Sequence, residues 1–268
     1  MGRVLAIVNQ KGGVGKTTTV VNLGAALADC DRKVLIVDMD AQGNATTALG
    51  ISRHELDACI YTVLAGQIRD PDTAPPIADV TYPTPIPGLF AVPARMELAA
   101  ADIELVAAMA REICLRRAIA PIVGDYDYVI LDSPPSLSLL TINCLTAAQA
   151  ILIPMQCEYY ALEGLSQLLR VVGMVQNSLS PALRLAGVVL TMFDQRTALS
   201  HDVANEVRRH LPDSTYRTVI PRSVRVSEAP SHGLPVTHYA PTSAGARAYR
   251  LLAREVIQRE EAGSGTGA

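Results

Sequence analysis

Eight residues narrow what this chain can become more than any others. Lys11-Gly12-Gly13-Val14-Gly15-Lys16-Thr17-Thr18 follow a short apolar run, Val4 to Val8, and open a helical pattern over Thr17 to Ala28. Strand, glycine-rich loop and helix in that order is the context in which a phosphate-binding loop is credible. The glycines let backbone N–H groups converge on phosphate oxygens, the helix N-terminus adds a favourable dipole, and Lys16 supplies a mobile positive charge. Thr17 would offer its hydroxyl to Mg²⁺. The chain holds 20 arginines and only three lysines, and two of those lysines, Lys11 and Lys16, fall in this loop. A position that has stayed lysine against such a background calls for a compact ammonium on a flexible stem.

The rest of the chain supplies a sheet for that loop. Apolar runs recur at Val34 to Val37, Tyr128 to Leu131, Ala150 to Pro154, Leu185 to Thr191 and Thr218 to Ile220. They are apolar throughout rather than alternating, as parallel strands covered on both faces are. Helical patterns lie between them at Glu97 to Ala120, Leu137 to Ala148, Ala161 to Gln176, Ser200 to His210 and Ser243 to Glu260. This alternation predicts an α/β fold, doubly wound, with a mostly parallel sheet and helices on both faces. A single domain is expected over residues 1–261. The proline-rich segment Asp70 to Pro87 reads as a surface excursion and residues 262–268 as a disordered tail.

Asp40 and Asp132 each end an apolar strand, on the edge where open α/β sheets bind ligands, and hard carboxylate oxygens suit Mg²⁺ there. Asp38, two residues earlier, reads as structural support. No other catalytic set competes, because the five histidines (His54, His201, His210, His232, His238) lie apart in sequence. The cysteines (Cys30, Cys59, Cys114, Cys144, Cys157) are widely spaced with no C-x-x-C pair and read as buried thiols of a reducing cytoplasm. With 49% hydrophobic and 18% charged residues the composition suits a filled core. No leader or membrane-spanning run is apparent. Charge is uneven: residues 1–183 hold 12 Lys and Arg against 18 Asp and Glu, whereas residues 184–259 hold 11 against 6. The last third is therefore the basic part.

The common phosphate loop begins with a glycine where this sequence has Gln10, and it carries one lysine where this sequence has two. That variant resembles the deviant Walker A motif of the ParA/MinD family of P-loop ATPases. The resemblance implies the P-loop NTPase fold, with ATP and Mg²⁺ as cofactors and slow, partner-stimulated hydrolysis. It implies a homodimer on ATP binding, with Lys11 reaching the partner's phosphates across a nucleotide sandwich. Lys11, Lys16 and Asp40 become the catalytic residues, Asp40 orienting the attacking water. Thr17, Asp40 and Asp132 become the Mg²⁺ residues, with Asp132 as the Walker B aspartate in Val129-Ile130-Leu131-Asp132. The loop from Lys11 through Gly12, Gly13, Val14, Gly15, Lys16 and Thr17 to Thr18 would bind nucleotide, with Met192, Pro221, Arg222 and Ser223 near the purine.

Two later segments narrow the branch. Gln156-Cys157-Glu158-Tyr159-Tyr160-Ala161-Leu162-Glu163-Gly164-Leu165 and Pro221-Arg222-Ser223-Val224-Arg225-Val226-Ser227-Glu228-Ala229-Pro230-Ser231-His232-Gly233 resemble chromosomal partition proteins of the Soj type. Such proteins bind double-stranded DNA without sequence preference and are stimulated by a ParB-type partner. Arg196 and Arg225 match their DNA-contacting positions, with Arg222 and Arg247 as further members of the surface. Two departures stand out: Ser223 replaces an asparagine, and Thr242-Ser243-Ala244-Gly245 stands where relatives carry lysine and arginine. About ten residues precede the loop, so no N-terminal helix-turn-helix for operator binding is expected. The implied role is chromosome or plasmid partition, cytoplasmic and nucleoid-associated. The alternative is a MinD-like positioning ATPase on a membrane, which would need a basic amphipathic C-terminal helix. Here the end reads Val256-Ile257-Gln258-Arg259-Glu260-Glu261-Ala262-Gly263, so stable membrane association is not expected. A reductase of the nitrogenase iron-protein kind would need exposed cysteines for a bridging cluster. A metabolic kinase or ligase would need an acceptor pocket that the sequence does not display.

Overall fold

The computed structural model describes residues 2–158 and 161–264. Its sheet has eight strands: β1 (Arg3–Ile7), β2 (Val34–Asp38), β3 (Tyr82–Pro83), β4 (Leu89–Val92), β5 (Tyr128–Asp132), β6 (Ala150–Gln156), β7 (Arg184–Phe193) and β8 (Thr215–Pro221). Their spatial order is β3-β4-β2-β5-β1-β6-β7-β8. All neighbours run parallel except β3, which pairs antiparallel with β4. From β1 the chain works outward to β2 on one flank and later to β6 on the other, so its connections diverge at the end of β1, where ligands enter such sheets.

The inner strands β1, β2, β5 and β6 bury both faces, and successive side chains serve different cores. Val4, Ala6, Leu35, Val37, Val129, Leu131, Ile151 and Ile153 face one apolar layer. Leu5, Ile7, Val34, Ile36, Tyr128, Ile130 and Leu152 face the other. The helices are α1 (Lys16–Ala28), α2 (Asn44–Ala48), α3 (Ile60–Arg69), α4 (Leu98–Ala107), α5 (Cys114–Ile119), α6 (Leu139–Ala147), α7 (Ala161–Ser178), α8 (Ala198–His210), α9 (Val224–Glu228), α10 (Val236–Tyr239) and α11 (Ala244–Ser264). The first layer is closed by α3 to α8, through residues such as Leu64, Leu105, Leu145, Leu168 and Val207. The second is closed by α1, α2, α10 and α11, through Leu23, Ala45, Val236 and Tyr249.

The structure corrects three expectations. The helix expected over Glu97 to Ala120 is broken: Ala110 adopts φ 50°, a short 3₁₀ turn covers Arg111–Ile113, and α5 starts afresh. Asn143 of α6 holds the break, accepting from the Leu115 amide (3.0 Å) and donating to the Arg111 carbonyl (2.8 Å). The segment Asp70 to Pro87 is more than a surface excursion, because Ile77, Val80 and Ile86 are buried and Tyr82–Pro83 extend the sheet. Finally, α11 runs to Ser264, three residues into the expected tail, while 265–268 lie outside the described residues, as do Tyr159 and Tyr160.

Candidate nucleotide and DNA sites

The loop after β1 is shaped by glycines where other residues would be strained. Gly13 (φ 75°) and Gly15 (φ 88°) both take left-handed backbone, and Gly15 stands at the N-terminus of α1. Nothing lies within 4 Å of the space a Cβ would occupy at Gly12 or Gly13, so the loop presents bare backbone outward. Side chains pin it from below. Asn9 donates to the Pro154 carbonyl (2.7 Å) and accepts from the Lys11 amide (3.0 Å). Thr191 at the end of β7 donates to the Val14 carbonyl (2.8 Å).

Lys16 is 7% exposed and folds back so that its Nζ donates to the Lys11 carbonyl (3.1 Å). Burial draws its ammonium below the usual lysine range, with the carboxylates of Asp132 and Asp40 pulling the other way. Lys11 is half-exposed and its Nζ is ion-paired with Glu158. Lys16 therefore belongs to the loop, whereas Lys11 points out from it.

The carboxylates sit one strand away. Asp132 ends β5, in register with Ile7 of β1 and Asp38 of β2. It is fully buried, and neither of its oxygens has a hydrogen-bond partner. Burial and then the Asp38 charge raise its pKa well above the ordinary value; the Thr17 hydroxyl acts in the opposite sense without closing a bond of good geometry. A buried carboxylate without a hydrogen-bond partner, next to a hydroxyl, offers oxygen donors suited to a hard divalent cation. Asp38 is equally buried but satisfied. It accepts from the Thr46 hydroxyl (2.7 Å), the Thr46 amide (2.9 Å) and the Asp40 amide (3.2 Å), and burial lifts its pKa to about 6. Asp40 is half-buried, and its Oδ1 accepts from the Gln42 amide (3.0 Å).

The ends of β7 and β8 form the adjoining flank. Phe193 pairs with Pro221, and the Arg222 amide donates to the Phe193 carbonyl (3.1 Å), so Met192, Pro221, Arg222 and Ser223 converge beside the loop. Met192 takes φ 51°, which is uncommon for a residue with a long side chain. Arg196 follows β7, Arg225 lies on α9 and Arg247 on α11, so all four arginines singled out in the sequence occupy this flank. Gly245 shows why a side chain is missing there: a Cβ would come within 2.4 Å of Val226 Cγ2, where α11 crosses α9. Arg196 and Arg225 are in ion pairs with Asp194 and Glu228, whereas Arg222 and Arg247 have none among the described residues.

Thr191, Asn9 and Thr46 were not identified from the sequence. Thr191 and Asn9 each adjoin an apolar run, which is the only signal the sequence offers for them, and Thr46 has no such signal. Thr46 also links two loops, since its hydroxyl accepts from the Ala94 amide (2.9 Å). The cysteines agree with the reading as thiols: all five are free, and only Cys30 is not buried. Among the described residues no group of three or more His, Cys, Asp or Glu side chains could hold a metal ion.

A family profile described as an AAA domain matches residues 2–185. The sporulation initiation inhibitor protein Soj of Bacillus subtilis is 52% identical over 96% of this chain and 98% of its own. The chromosome partitioning protein ParA of Caulobacter vibrioides is also 52% identical, over 96% of this chain and 95% of its own. Among solved structures, one described as cobyrinic acid a,c-diamide synthase from Mycobacterium smegmatis with bound ADP and magnesium superposes with a TM-score of 0.82 at 38% identity, covering 98% of this chain and 97% of its own. The partitioning proteins thus share more of this sequence than that structure does, and the deviant loop with Lys11 and Lys16 is set in the fold expected of a P-loop NTPase. The chain belongs to the ParA/Soj family of chromosome-partitioning P-loop ATPases and is itself an ATPase.

Proposed function

We propose that this protein is the DNA-bound switch of a partition system. ATP with Mg²⁺ favours a sandwich homodimer, the dimer binds double-stranded DNA without sequence preference, and a ParB-type partner stimulates hydrolysis and release. The observation that carries the nucleotide part is the Asp132 carboxylate, buried with both oxygens unpartnered beside Thr17 and Lys16. Leaving a buried polar group in that state costs on the order of 1–3 kcal/mol, and more when the group is charged. Such a cost is retained where a ligand removes it.

Each residue has a part in this reading. The amides of Gly12 to Thr18 and the Lys16 ammonium bind the phosphates, Lys16 leaving the Lys11 carbonyl on which it now rests. Thr17 and Asp132 hold the cation, Asp132 through water as such sites commonly do. Mg²⁺ supplies neutralisation of phosphate charge. Asp40, with one carboxylate oxygen fixed by the Gln42 amide, orients the attacking water through the other. Lys11 is solvent-accessible at the rim and reaches the partner's phosphates once it leaves Glu158. Nucleotide acts on the dimer only by the difference in its affinity for the two states.

Arg196, Arg222, Arg225 and Arg247 are the proposed phosphate contacts of the DNA surface, in a cytoplasmic, nucleoid-associated protein. The packing of α11 supports this over a membrane role. Val256 and Ile257 pack into the second core, and Glu260 is ion-paired with Arg184. Among the described residues of α11 Leu251 is the one large apolar side chain left exposed, and no helix is long and apolar enough to cross a bilayer.

The test is fluorescence anisotropy of a random-sequence duplex, titrated with protein in ATP and Mg²⁺, in ADP, and without nucleotide. Binding confined to ATP, weakening as salt rises, supports the switch. Absence of binding in every condition removes the DNA claim.

A further inference from the structure

The two arginines best matched to DNA contact carry their own counter-ions. Arg196 is almost fully exposed, with its side chain 87% accessible, yet its Nε and Nη2 donate to Asp194 Oδ1 (2.9 Å) and Oδ2 (2.7 Å). This is the two-bond fork that guanidinium groups form with carboxylates and phosphates alike. Asp194 is not a loose surface residue. Its Oδ1 also accepts from the Arg196 amide (3.0 Å), and its carbonyl accepts from the Thr197 amide (3.2 Å), so the turn between β7 and α8 is built on it. The carboxyl is held well below the usual carboxylate range, chiefly by the hydrogen bonds from Arg196, and Arg222 adds to the effect. One carboxylate thus holds one proposed DNA cation directly and feels the charge of a second. On α9 the arrangement recurs: Arg225 Nη1 donates to Glu228 Oε2 (3.0 Å), which also accepts from the Tyr239 hydroxyl (3.4 Å).

We infer that Asp194 and Glu228 are built-in competitors of DNA phosphate, which occupy Arg196 and Arg225 and set the affinity of the DNA surface below what its arginines would otherwise give. The inference rests on the DNA-binding reading above. A phosphate approaching Arg196 meets a guanidinium with two of its five donors already taken and a fixed negative charge on the far side. Sequence-independent binding comes almost wholly from such charge contacts, so a carboxylate beside each arginine acts directly on affinity. Weak, tunable attachment is what a protein that must repeatedly leave DNA requires. Since the Asp194 carboxyl stays ionised throughout the neutral range, its competition is constant there and is not relieved by mild acidification.

Carboxamide substitution isolates the charge. Asp194→Asn keeps a side-chain oxygen for the turn, and Glu228→Gln keeps one for Tyr239. In the duplex titration with ATP and Mg²⁺, each is expected to tighten binding roughly threefold to tenfold, because exposed pairs are individually weak and a dimer presents each of them twice. Asp202→Asn, at an exposed carboxylate on α8 with no ion pair among the described residues, removes the same charge and should shift binding less. Placed in an Arg196→Ala background, Asp194→Asn should lose its gain, since its effect runs through that arginine. Unchanged or weaker binding by both carboxamide variants, with wild type still binding under ATP, would overturn the inference and leave the DNA reading intact. Wild type that binds no duplex under ATP would overturn both. A gain in Asp202→Asn as large as the others would assign the effect to bulk charge and also overturn it.

Discussion

Asp38 and Asp132 stand side by side in the register of β2 and β5, both buried, and their surroundings give them different work. Asp38 spends its acceptors on Thr46 and the Asp40 amide, fixing the start of α2. The Thr46 hydroxyl serves two masters, donating to Asp38 and accepting from the Ala94 amide. Thr46→Val, nearly equal in volume, leaves a buried charge short of one bond and an amide without an acceptor, so it should cost about 2–4 kcal/mol. A denaturant titration reads that cost; a change under about 1 kcal/mol would mean the hydroxyl is not the link between the two loops. Asp132, by contrast, has acceptors to spare, and the neighbouring cation Lys16 is held only by a loop carbonyl. Lys16→Ala should lower turnover by about 10²–10³-fold, the usual effect of deleting a donor to developing charge, and weaken nucleotide binding with it. Asp40→Ala should leave an ATP-bound dimer that binds duplex but hydrolyses about 10²-fold more slowly. Full turnover by that variant, measured by phosphate release, would remove Asp40 from its role. The loop and the strand-ending carboxylates were legible in the sequence because their spacing reflects local chain geometry. Thr46, Thr191 and Asn9 were not, because the partners that tie them to other parts of the fold lie 8 to 177 residues away.

Among the elements, β8 shows how a helix completes a sheet. The edge strand slips against β7, with register shifts on either side of the Leu190–Val219 pair, and the Arg217 and Thr218 amides fall in the irregular stretch. Glu255 of α11 accepts both, at 2.8 and 3.0 Å, and pairs with Arg259. Burial by itself would raise the Glu255 carboxyl, but these backbone bonds outweigh it and hold the group below its ordinary value of 4.5. A depressed carboxylate stabilises the fold above its unfolded pKa, and the contribution is lost as pH falls through the folded one. Glu255→Gln should therefore cost about 1–2 kcal/mol near neutrality, and the gap to wild type should close below about pH 4.5. Thermal melts of both proteins across pH 3.5–7.5 test this; a gap independent of pH would show that packing, not charge, is what the glutamate provides. The same flank explains what sequence patterning misses. The runs in β1, β2, β5, β6 and β7 were legible as strands because they are apolar on both faces. β3 and β4, two and four residues long, and the five-residue helices α2 and α9 are too short for a period to register. The break between α4 and α5 was hidden too, since the apolar pattern continues through Ala110 and only Asn143, supplied from α6, makes the turn stable.

Across the molecule, charge is unevenly spread. The acidic first two-thirds carries the phosphate loop and its carboxylates, where Lys11 and Lys16 are local exceptions, while the basic last third forms the flank with Arg196, Arg222, Arg225 and Arg247. The two meet at the ends of β7 and β8: Thr191 holds the phosphate loop, and three residues later Asp194 holds Arg196. The phosphate loop and the proposed DNA surface are thus separated by a few residues of one strand end, close enough for a change at the loop to be felt at the flank without a long relay. If the surface acts only when two copies are brought together, then damaging it should leave the nucleotide step intact. Arg225→Glu places a second carboxylate beside Glu228, and in a dimer it takes two arginines away from the DNA phosphates. Its duplex affinity under ATP should fall by at least about tenfold. The slope of log affinity against log salt should become shallower by about 0.9 for each phosphate that is no longer neutralised, near 1.8 per dimer. Sedimentation velocity with ATP and Mg²⁺ should still find the dimer. Loss of dimer and DNA binding together would place Arg225 in the fold of the α9 flank, where its Glu228 pair already ties it, and would transfer the DNA-binding role to Arg222 and Arg247.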